Sequence, residues 1–262
     1  MCYHPSHDVV GSDIIVNSAC ARNGVHYVDL NGEPAWSRKI IHEYDYLATK
    51  THAVIVAGCG YDSIPSDYSA YLSAKTLRTT SPDHFVGKST TIHSGSGGIS
   101  GGTINTILTG LDSVPREIIE ESSKPFSLSP IVSATKQEGP THGFKFLYKL
   151  TLPGLNEKYI GSFFPMSLTN RSIVERTFGL LELYACDCMA TLFRCPSLTD
   201  FISDENKKSH QQIHYGPHFS YEEFFSMKSS IKAVLLSSSI LFLLTLLMIK
   251  PVRPLLFSTP SV

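Results

Sequence analysis

The sequence predicts an α/β fold in which a parallel sheet is followed by an α+β region and a C-terminal apolar helix. Helical and extended apolar patterns alternate through the first third of the chain, which is typical of a parallel sheet covered by helices. Large apolar side chains recur at every second position over 144–152, which predicts a half-buried strand. A nearly uncharged apolar run over 233–249 predicts the last helix.

The first predicted region, residues 1–77, consists of helices and strands in alternation. Apolar residues at helical spacing, a proline in a first turn and a glycine after a last turn mark the helices, and short β-branched runs mark the strands. In chain order the predicted elements are a helix over 10–22, a strand over 25–30, a helix over 34–50, a buried strand over 53–57 and a helix over 66–77. We expect Ser66 or Asp67 to cap the last helix.

The remainder divides into an α+β domain over 78–215 and a tail over 216–262. The elements predicted for the α+β domain are a strand over 84–93, a helix over 103–114, mostly irregular chain over 117–140 and the alternating strand over 144–152. Ser172 and Glu175 have the spacing of a capping box, which predicts the start of a further helix.

A polar turn between a strand and a helix, Cys59–Asp67, is the most informative feature of the chain. Gly58 and Gly60 allow a tight turn, and the following helix start offers free backbone N–H groups. Ligands of open α/β sheets bind at this carboxyl edge. Turn chemistry alone also explains the residue types, with Asp62 and Asp67 as caps.

Three short motifs follow one another in the first 103 residues: Tyr27–Glu33, Cys59–Asp67 and Ser100–Thr103. Their order and spacing resemble the successive signatures of saccharopine dehydrogenase-like oxidoreductases, a group that includes the trans-acting enoyl reductases. The resemblance is looser after Phe144, where Asn170-Arg171-Ser172 is its best part. It implies a partial Rossmann-like sheet, NAD or NADP as cofactor, and hydride transfer onto a lipid-type enoyl or carbonyl substrate.

The resemblance also implies where a cofactor would bind. The candidate cofactor-binding residues are Gly58, Cys59, Gly60, Asp62, Ser63, Gly101, Gly102 and Thr103. Asp62 is the candidate polar anchor, supported by Tyr27 and Asp29 from the neighbouring strand end, and Asp62 and Tyr27 are the catalytic candidates. The residues themselves show no acid/base pair that would name a proton donor.

Family members begin with a strand, a glycine-rich phosphate turn and a helix, and no such unit precedes Gly11 here. We therefore expect a relative that lacks its dinucleotide fingerprint and is weakly active or inactive alone. The alternative is a truncated gene model whose first unit is encoded upstream.

The glycine-rich loop 93–103 has three interpretations. Gly98–Gly102 matches G-x-S-x-G, which would make Ser100 the nucleophile of a serine hydrolase. The loop is otherwise a hinge whose following helix start faces a cofactor phosphate, or a purely structural connection.

Composition excludes some classes of function. The 22 basic and 23 acidic side chains give a net charge of −1, so the chain lacks the basic excess typical of nucleic-acid binding. Six cysteines without a regular framework favour a reducing compartment. Neither Cys186-Asp187-Cys188 nor the three histidines at 210, 214 and 218 form a convincing metal site. The sequence leaves the oligomeric state open.

Lysines at 228 and 232 precede the apolar run 233–249, and Lys250 and Arg253 follow it. Seventeen residues are slightly short of the ~20 that usually cross a bilayer. Because the run is apolar on all sides, it predicts association with a membrane or lipid-droplet surface, which agrees with the lipid-droplet and membrane association of relatives in the resembled group. A non-enzymatic lipid-surface scaffold is therefore an alternative function, and a buried helix of a cytoplasmic protein is the alternative structure.

Overall fold

The computed structural model describes residues 9–95, 114–134, 144–152, 154, 157–185 and 214–248. Within these ranges the chain forms six helices and six strands, which confirms the predicted α/β class. The helices are α1 (Val9–Asn23), α2 (Pro34–Thr51), α3 (Ile64–Thr80), α4 (Arg116–Ser122), α5 (Ser167–Ala185) and α6 (Ser230–Met248). The strands are β1 (Tyr27–Val28), β2 (Ile55–Val56), β3 (Lys88–His93), β4 (Tyr148–Thr151), β5 (Lys158–Ser162) and β6 (Ser220–Met227).

The alternation of the first region is as predicted, and β1 and β2 pair in parallel. Tyr27 lies opposite Ile55, and Val28 lies opposite Val56. The prediction of a buried strand at 53–57 is wrong, however, because Val54 and Val56 are exposed, as is Val28 of β1 at 61%. Helices α1 and α2 pack on each other. The face of the strand pair that carries Val28, Val54 and Val56 is exposed.

The second sheet has the order β3-β6-β5-β4. Strand β6 runs parallel to β3 and antiparallel to β5, and β5 runs antiparallel to β4. Strand β6 therefore occupies an interior position, although it falls in the stretch that the sequence assigned to a tail. The division into three domains stays a prediction.

The main core lies between this sheet and the pair α3 and α5. Its buried side chains are Ala70, Ala74, Phe126, Val174, Phe178, Tyr215, Phe219 and Tyr221. The rings of Phe178 and Phe219 stack with centroids 5.1 Å apart. Since burial of each large side chain contributes about 1.5–3 kcal/mol, this contact fixes α5 against the residue that precedes β6.

Helix α3 begins earlier than predicted. Pro65 suits its first turn, so the helix starts at Ile64 and Ser63 occupies the cap position without a side-chain cap hydrogen bond. The prediction that Ser66 or Asp67 caps this helix is wrong. Both lie inside it, and their side chains bond instead to other elements.

Helix α5 also begins earlier, at Ser167, so the capping box predicted at Ser172 and Glu175 is wrong. The Ser172 hydroxyl donates to the Leu168 carbonyl 3.1 Å away. The Glu175 carboxylate accepts from the backbone N–H of Phe126 at 2.6 Å. Residues with the spacing of a helix cap therefore lie inside this helix, where Ser172 bonds to the helix backbone and Glu175 bonds to a neighbouring segment.

The α+β region differs from the sequence prediction at some points and agrees with it at another. The stretch expected to be mostly irregular after residue 117 instead opens with helix α4. The alternating pattern is confirmed along β4, where half-buried and exposed residues alternate. The strand is shorter than the predicted 144–152, however, and Phe146, predicted to face inward, is 43% exposed. The helix predicted over 103–114 lies outside the described residues, apart from its last position.

Candidate functional site

The turn between β2 and α3 is held by Asp29, which follows β1. Its Oδ1 atom accepts from the backbone N–H groups of Gly58 and Asn31, each at 2.9 Å. Its backbone carbonyl accepts from the N–H of Cys59 at 2.8 Å. One aspartate thereby joins the carboxyl ends of the two parallel strands.

The glycines in this turn are explained by backbone geometry and packing. Gly58 has φ +71°, a conformation that side chains disfavour, and a Cβ there would lie 3.1 Å from Ile173 Cδ1 of α5. A Cβ on Gly60 would lie 3.3 Å from the Leu30 side chain. Backbone conformation and packing therefore account for Gly58, whereas Gly60 is restricted only by the exposed Leu30 side chain.

The structure brings five predicted cofactor residues into this one turn. Gly58 and Ser63 are buried, Cys59 and Gly60 are half-buried, and Asp62 is exposed. Tyr27 is half-buried in β1. The other predicted residues, Gly101, Gly102 and Thr103, lie outside the described residues, as does Ser100. Their roles stay predictions.

A buried hydrogen-bonded network begins at the end of the turn. We call it the polar cluster, and its members are Ser63, Ser66, His93, Asn170, Tyr221 and Glu223. The Ser63 hydroxyl donates to Asn170 Oδ1 at 3.2 Å. The Asn170 amide donates in turn to Glu223 Oε1 at 2.8 Å and to Ser66 Oγ at 3.3 Å. The network thus connects the β2–α3 turn to the larger sheet.

Glu223 is the centre of the polar cluster and is only 2% exposed. Its Oε2 atom accepts from the Tyr221 hydroxyl at 2.7 Å and from the Ser66 hydroxyl at 2.8 Å. Burial and the adjacent Glu223 carboxylate raise the pKa of Tyr221, so this phenol stays a donor. A buried carboxylate is costly unless such donors surround it.

His93 connects the polar cluster to solvent. It is the last residue of β3, its side chain is 21% exposed, and its Nε2 atom lies 3.1 Å from Glu223 Oε2. The same nitrogen lies 3.3 Å from Ser66 Oγ, and the ring stacks on Phe164 with centroids 4.3 Å apart. A partly exposed imidazole backed by a buried carboxylate can hold and transfer a proton.

The polar cluster does not have the geometry of a serine hydrolase triad. In such a triad the acid and the serine bond opposite nitrogens of the histidine, whereas Glu223 and Ser66 both face Nε2. Ser66 is also fully buried, so its hydroxyl is inaccessible as a nucleophile.

The sequence indicated only part of the polar cluster. His93 lies at the end of a predicted strand, but nothing local marks its partner, because Glu223 is 130 residues further along the chain. The parallel pairing of β3 with β6 brings the two together.

The structure places no metal centre among the residues that it describes, since they contain no group of three or more His, Cys, Asp or Glu side chains able to hold an ion. His214 Nδ1 lies 3.8 Å from Glu182 Oε1, and its ring is tilted by 46° against the ring of Phe85. His210 and the cysteines at 186, 188 and 195 lie outside the described ranges.

Helix α6 is the other feature with functional potential. In the described part of the chain it is the one helix long and apolar enough to cross a membrane. Ile231, Leu235 and Phe242 are 73%, 61% and 66% exposed. The predicted C-terminal apolar helix is therefore present, and many of its described apolar side chains are exposed.

Comparison with known proteins gives relatives of named function. The chain is 34% identical over 168 residues to a candidate trans-acting enoyl reductase of Mycobacterium tuberculosis, which is 63% of this chain and 40% of that protein. It is 40% identical over 60 residues to a protein of Arabidopsis thaliana that is named as a mitochondrial saccharopine dehydrogenase-like oxidoreductase. The match covers 23% of this chain and 13% of that protein. It is 42% identical over 52 residues to a lipid droplet localized protein of Caenorhabditis elegans, 20% of this chain and 12% of that protein.

No family model matches the chain, and no solved structure matches it. The chain spans about two fifths of the length of the mycobacterial relative. The matches confirm the resemblance that the three motifs predicted: the chain is a homologue of proteins named as oxidoreductases. More particularly, its homologues are the trans-acting enoyl reductases and the saccharopine dehydrogenase-like oxidoreductases.

Proposed function

We propose that this chain takes part in the nicotinamide-dependent reduction of a lipid-type enoyl or carbonyl compound. The names of the homologues support the reaction class. The observation that carries the proposal is the partly exposed His93, hydrogen-bonded to buried Glu223 beside the β2–α3 turn. Addition of hydride to an enoyl or carbonyl group must be completed by a proton, and His93 is the group of the polar cluster that could supply it.

The residues of the turn fit a nicotinamide nucleotide only in part. Asp29 Oδ2 has no hydrogen-bond partner among the described residues, but it is buried, so the turn would have to open before this oxygen could accept from a ribose hydroxyl or a carboxamide. The amides of Gly58 and Cys59 already bond to Asp29 and do not fit a pyrophosphate. NAD or NADP would supply the hydride when bound.

The protein's own contribution is then the handling of a proton. Glu223 and Ser66 both face Nε2 of His93, which keeps the N–H of the neutral ring on that nitrogen. The proton delivered to the substrate would therefore be the second one, which Nδ1 carries in the imidazolium form and which returns from solvent after each transfer. The stacking of the imidazole on Phe164 fixes the ring plane. Glu223 and Ser66 are positioning residues in this scheme, because neither is exposed enough to meet a substrate.

Deuteride transfer tests the proposed function. The chain is incubated with long-chain enoyl and carbonyl lipids and with NADPH deuterated at either face of C4, and mass spectrometry follows the label. We expect slow transfer and a loss of at least about 100-fold in His93→Gln, whereas His42→Gln, an exposed histidine on α2, serves as an unaffected control. Absence of label from every lipid would contradict the proposal.

A separate titration addresses cofactor affinity. Because the turn has no free amides at Gly58 and Cys59, we expect weak binding of NADPH and NADH by fluorescence. Micromolar affinity would overturn the expectation that this chain binds its cofactor poorly.

A second candidate function, favoured by the exposed apolar side chains of α6, is attachment to a lipid surface. The lipid droplet localized homologue supports it. Removing 232–262 tests it: we expect a shift from membrane fractions to the cytosol, and an unchanged cytosolic distribution of the full chain would contradict it.

A further inference from the structure

Resting on the proposed lipid attachment, we infer that α6 lies flat on a phospholipid surface with anionic headgroups and does not cross the bilayer. One side of α6 is buried at Ala233, Ser237 and Leu247, and the opposite side carries exposed apolar residues.

The packed side holds both ends of the helix. Ala233 and Ser237 are fully buried, and Leu247 in the last turn is nearly so. The Ser237 hydroxyl oxygen accepts from the backbone N–H of Phe163, just after β5, at 3.0 Å. Helix α6 also contacts β5 and β6. The helix is therefore fixed to the sheet in its first half, through Ala233 and Ser237, and it is covered again at Leu247 in its last turn.

The open side is suited to an apolar environment. Ile231, Leu235 and Phe242 are spaced by four and seven residues, which places them in one stripe. The neighbouring hydroxyls of Ser239 and Thr245 donate to the carbonyls four residues earlier in the helix, at 2.9 and 2.8 Å. Because these hydroxyl protons bond within the helix, they do not need water when the stripe is covered.

Charge at the start of the helix indicates which surface it meets. Lys228 and Lys232 are both exposed there. Lysines at the end of an apolar stripe can reach headgroups while the stripe enters the acyl boundary. This arrangement complements an anionic phospholipid surface.

The packing argues against a membrane-spanning orientation. A vertical α6 would carry β5 and its partner β4 into the hydrocarbon, together with the exposed Lys158 of β5. Strand β4 is the last strand of its sheet, and lipid-exposed sheet edges leave backbone groups without partners, which hydrocarbon does not tolerate. In the flat orientation the sheet stays in water.

Depth measurements along the stripe test the orientation. The chain has a single tryptophan, Trp36, so new tryptophans are introduced one at a time as Ile231→Trp, Leu235→Trp and Phe242→Trp in a Trp36→Phe background. The proteins are bound to vesicles of phosphatidylcholine and phosphatidylserine. Lipids brominated at shallow or deep acyl positions then quench each tryptophan according to its depth.

We expect equal depth at all three positions. Position 242 follows position 231 by 11 residues, or about 16 Å along a helix axis, so a crossing helix would give depths that differ by about that distance. Such a gradient would overturn the flat orientation and leave the proposed attachment standing.

A pair of double variants tests the attachment itself. Leu235→Ser with Phe242→Ser should weaken vesicle binding at least about tenfold. Ile15→Ser with Val132→Ser removes comparably exposed apolar side chains elsewhere and should leave binding unchanged. Failure of the parent chain to bind any vesicle, or self-association through the stripe in sedimentation, would overturn both the attachment and its orientation.

Discussion

Glu223 Oε2 lies 3.1 Å from His93 Nε2 across the parallel pair β3 and β6. Glu223 also accepts from Ser66, Asn170 and Tyr221, so one carboxylate joins two helices to the sheet. In the proposed reaction this carboxylate holds the His93 ring in place. The polar cluster is thus both a structural joint and the candidate chemical centre.

Removing the Glu223 carboxylate should be strongly destabilising. Glu223→Ala leaves buried donors without an acceptor, and we expect a loss of about 3–5 kcal/mol in the free energy of unfolding measured with urea. Glu223→Gln should lose less, because one oxygen remains. Glu222→Gln is the matched control: its salt bridges to Lys88 and Lys145 involve exposed lysines, so less than about 1 kcal/mol is expected. If Glu223→Ala and Glu223→Gln lose the same free energy of unfolding, the remaining oxygen does not act as a hydrogen-bond acceptor, and the prediction is wrong.

Asp67 should make stability fall as pH rises. Burial raises its pKa from 3.8 to about 6, against the opposing effect of the Thr177 hydrogen bond, so the folded state binds this proton more tightly than the unfolded state. The contribution of protonated Asp67 to the free energy of unfolding is fully present below pH 3.8. Up to about 3 kcal/mol of it is lost as the pH rises past 6.

The difference between parent and Asp67→Asn isolates that effect. We expect the variant to gain stability relative to the parent between about pH 4 and pH 6.5 in urea unfolding. The exposed Asp83→Asn should show no such difference. A parallel pH dependence for parent and Asp67→Asn would rule out the raised pKa.

Gly58→Ala should disturb the turn that precedes α3. The residue has φ +71° and its new Cβ would approach Ile173, so a loss of about 1–2 kcal/mol is expected in thermal or urea unfolding. Gly87→Ala is the control, since no atom lies within 4 Å of its Cβ position. If both variants unfold alike, the turn does not require glycine at 58.

Ser237→Ala should loosen α6 from the sheet. The variant leaves the backbone N–H of Phe163 without its buried acceptor, a cost of about 1–3 kcal/mol. Ser239→Ala on the exposed side, whose hydroxyl bonds only within the helix, should change stability by less than about 0.5 kcal/mol. Faster hydrogen exchange in α6 of the first variant alone would verify the contact, and equal exchange in both would exclude it.

The elements with clear local patterns were predictable from the sequence. Pro34 and the following apolar spacing determine α2, and the alternation around Tyr148 determines β4. The turn at Gly58 followed from the need for a positive φ. These features depend on neighbours in the chain, and such neighbours are visible in one sequence.

The partners of polar residues were not predictable in the same way. Ser66 and Glu175 have the residue types of helix caps, yet tertiary contacts to Glu223 and Phe126 use their side chains instead. The interior position of β6 depends on pairing with strands far away in the sequence. Nothing near His93 in the sequence marks it as a candidate, because its carboxylate partner Glu223 is 130 residues away.

The polar cluster draws on α3, β3, α5 and β6 at once. None of these segments can detach without stranding hydrogen-bonding groups of the other three. Heating should accordingly unfold all four in a single calorimetric peak. Limited proteolysis should yield no stable fragment from which one of the four is missing.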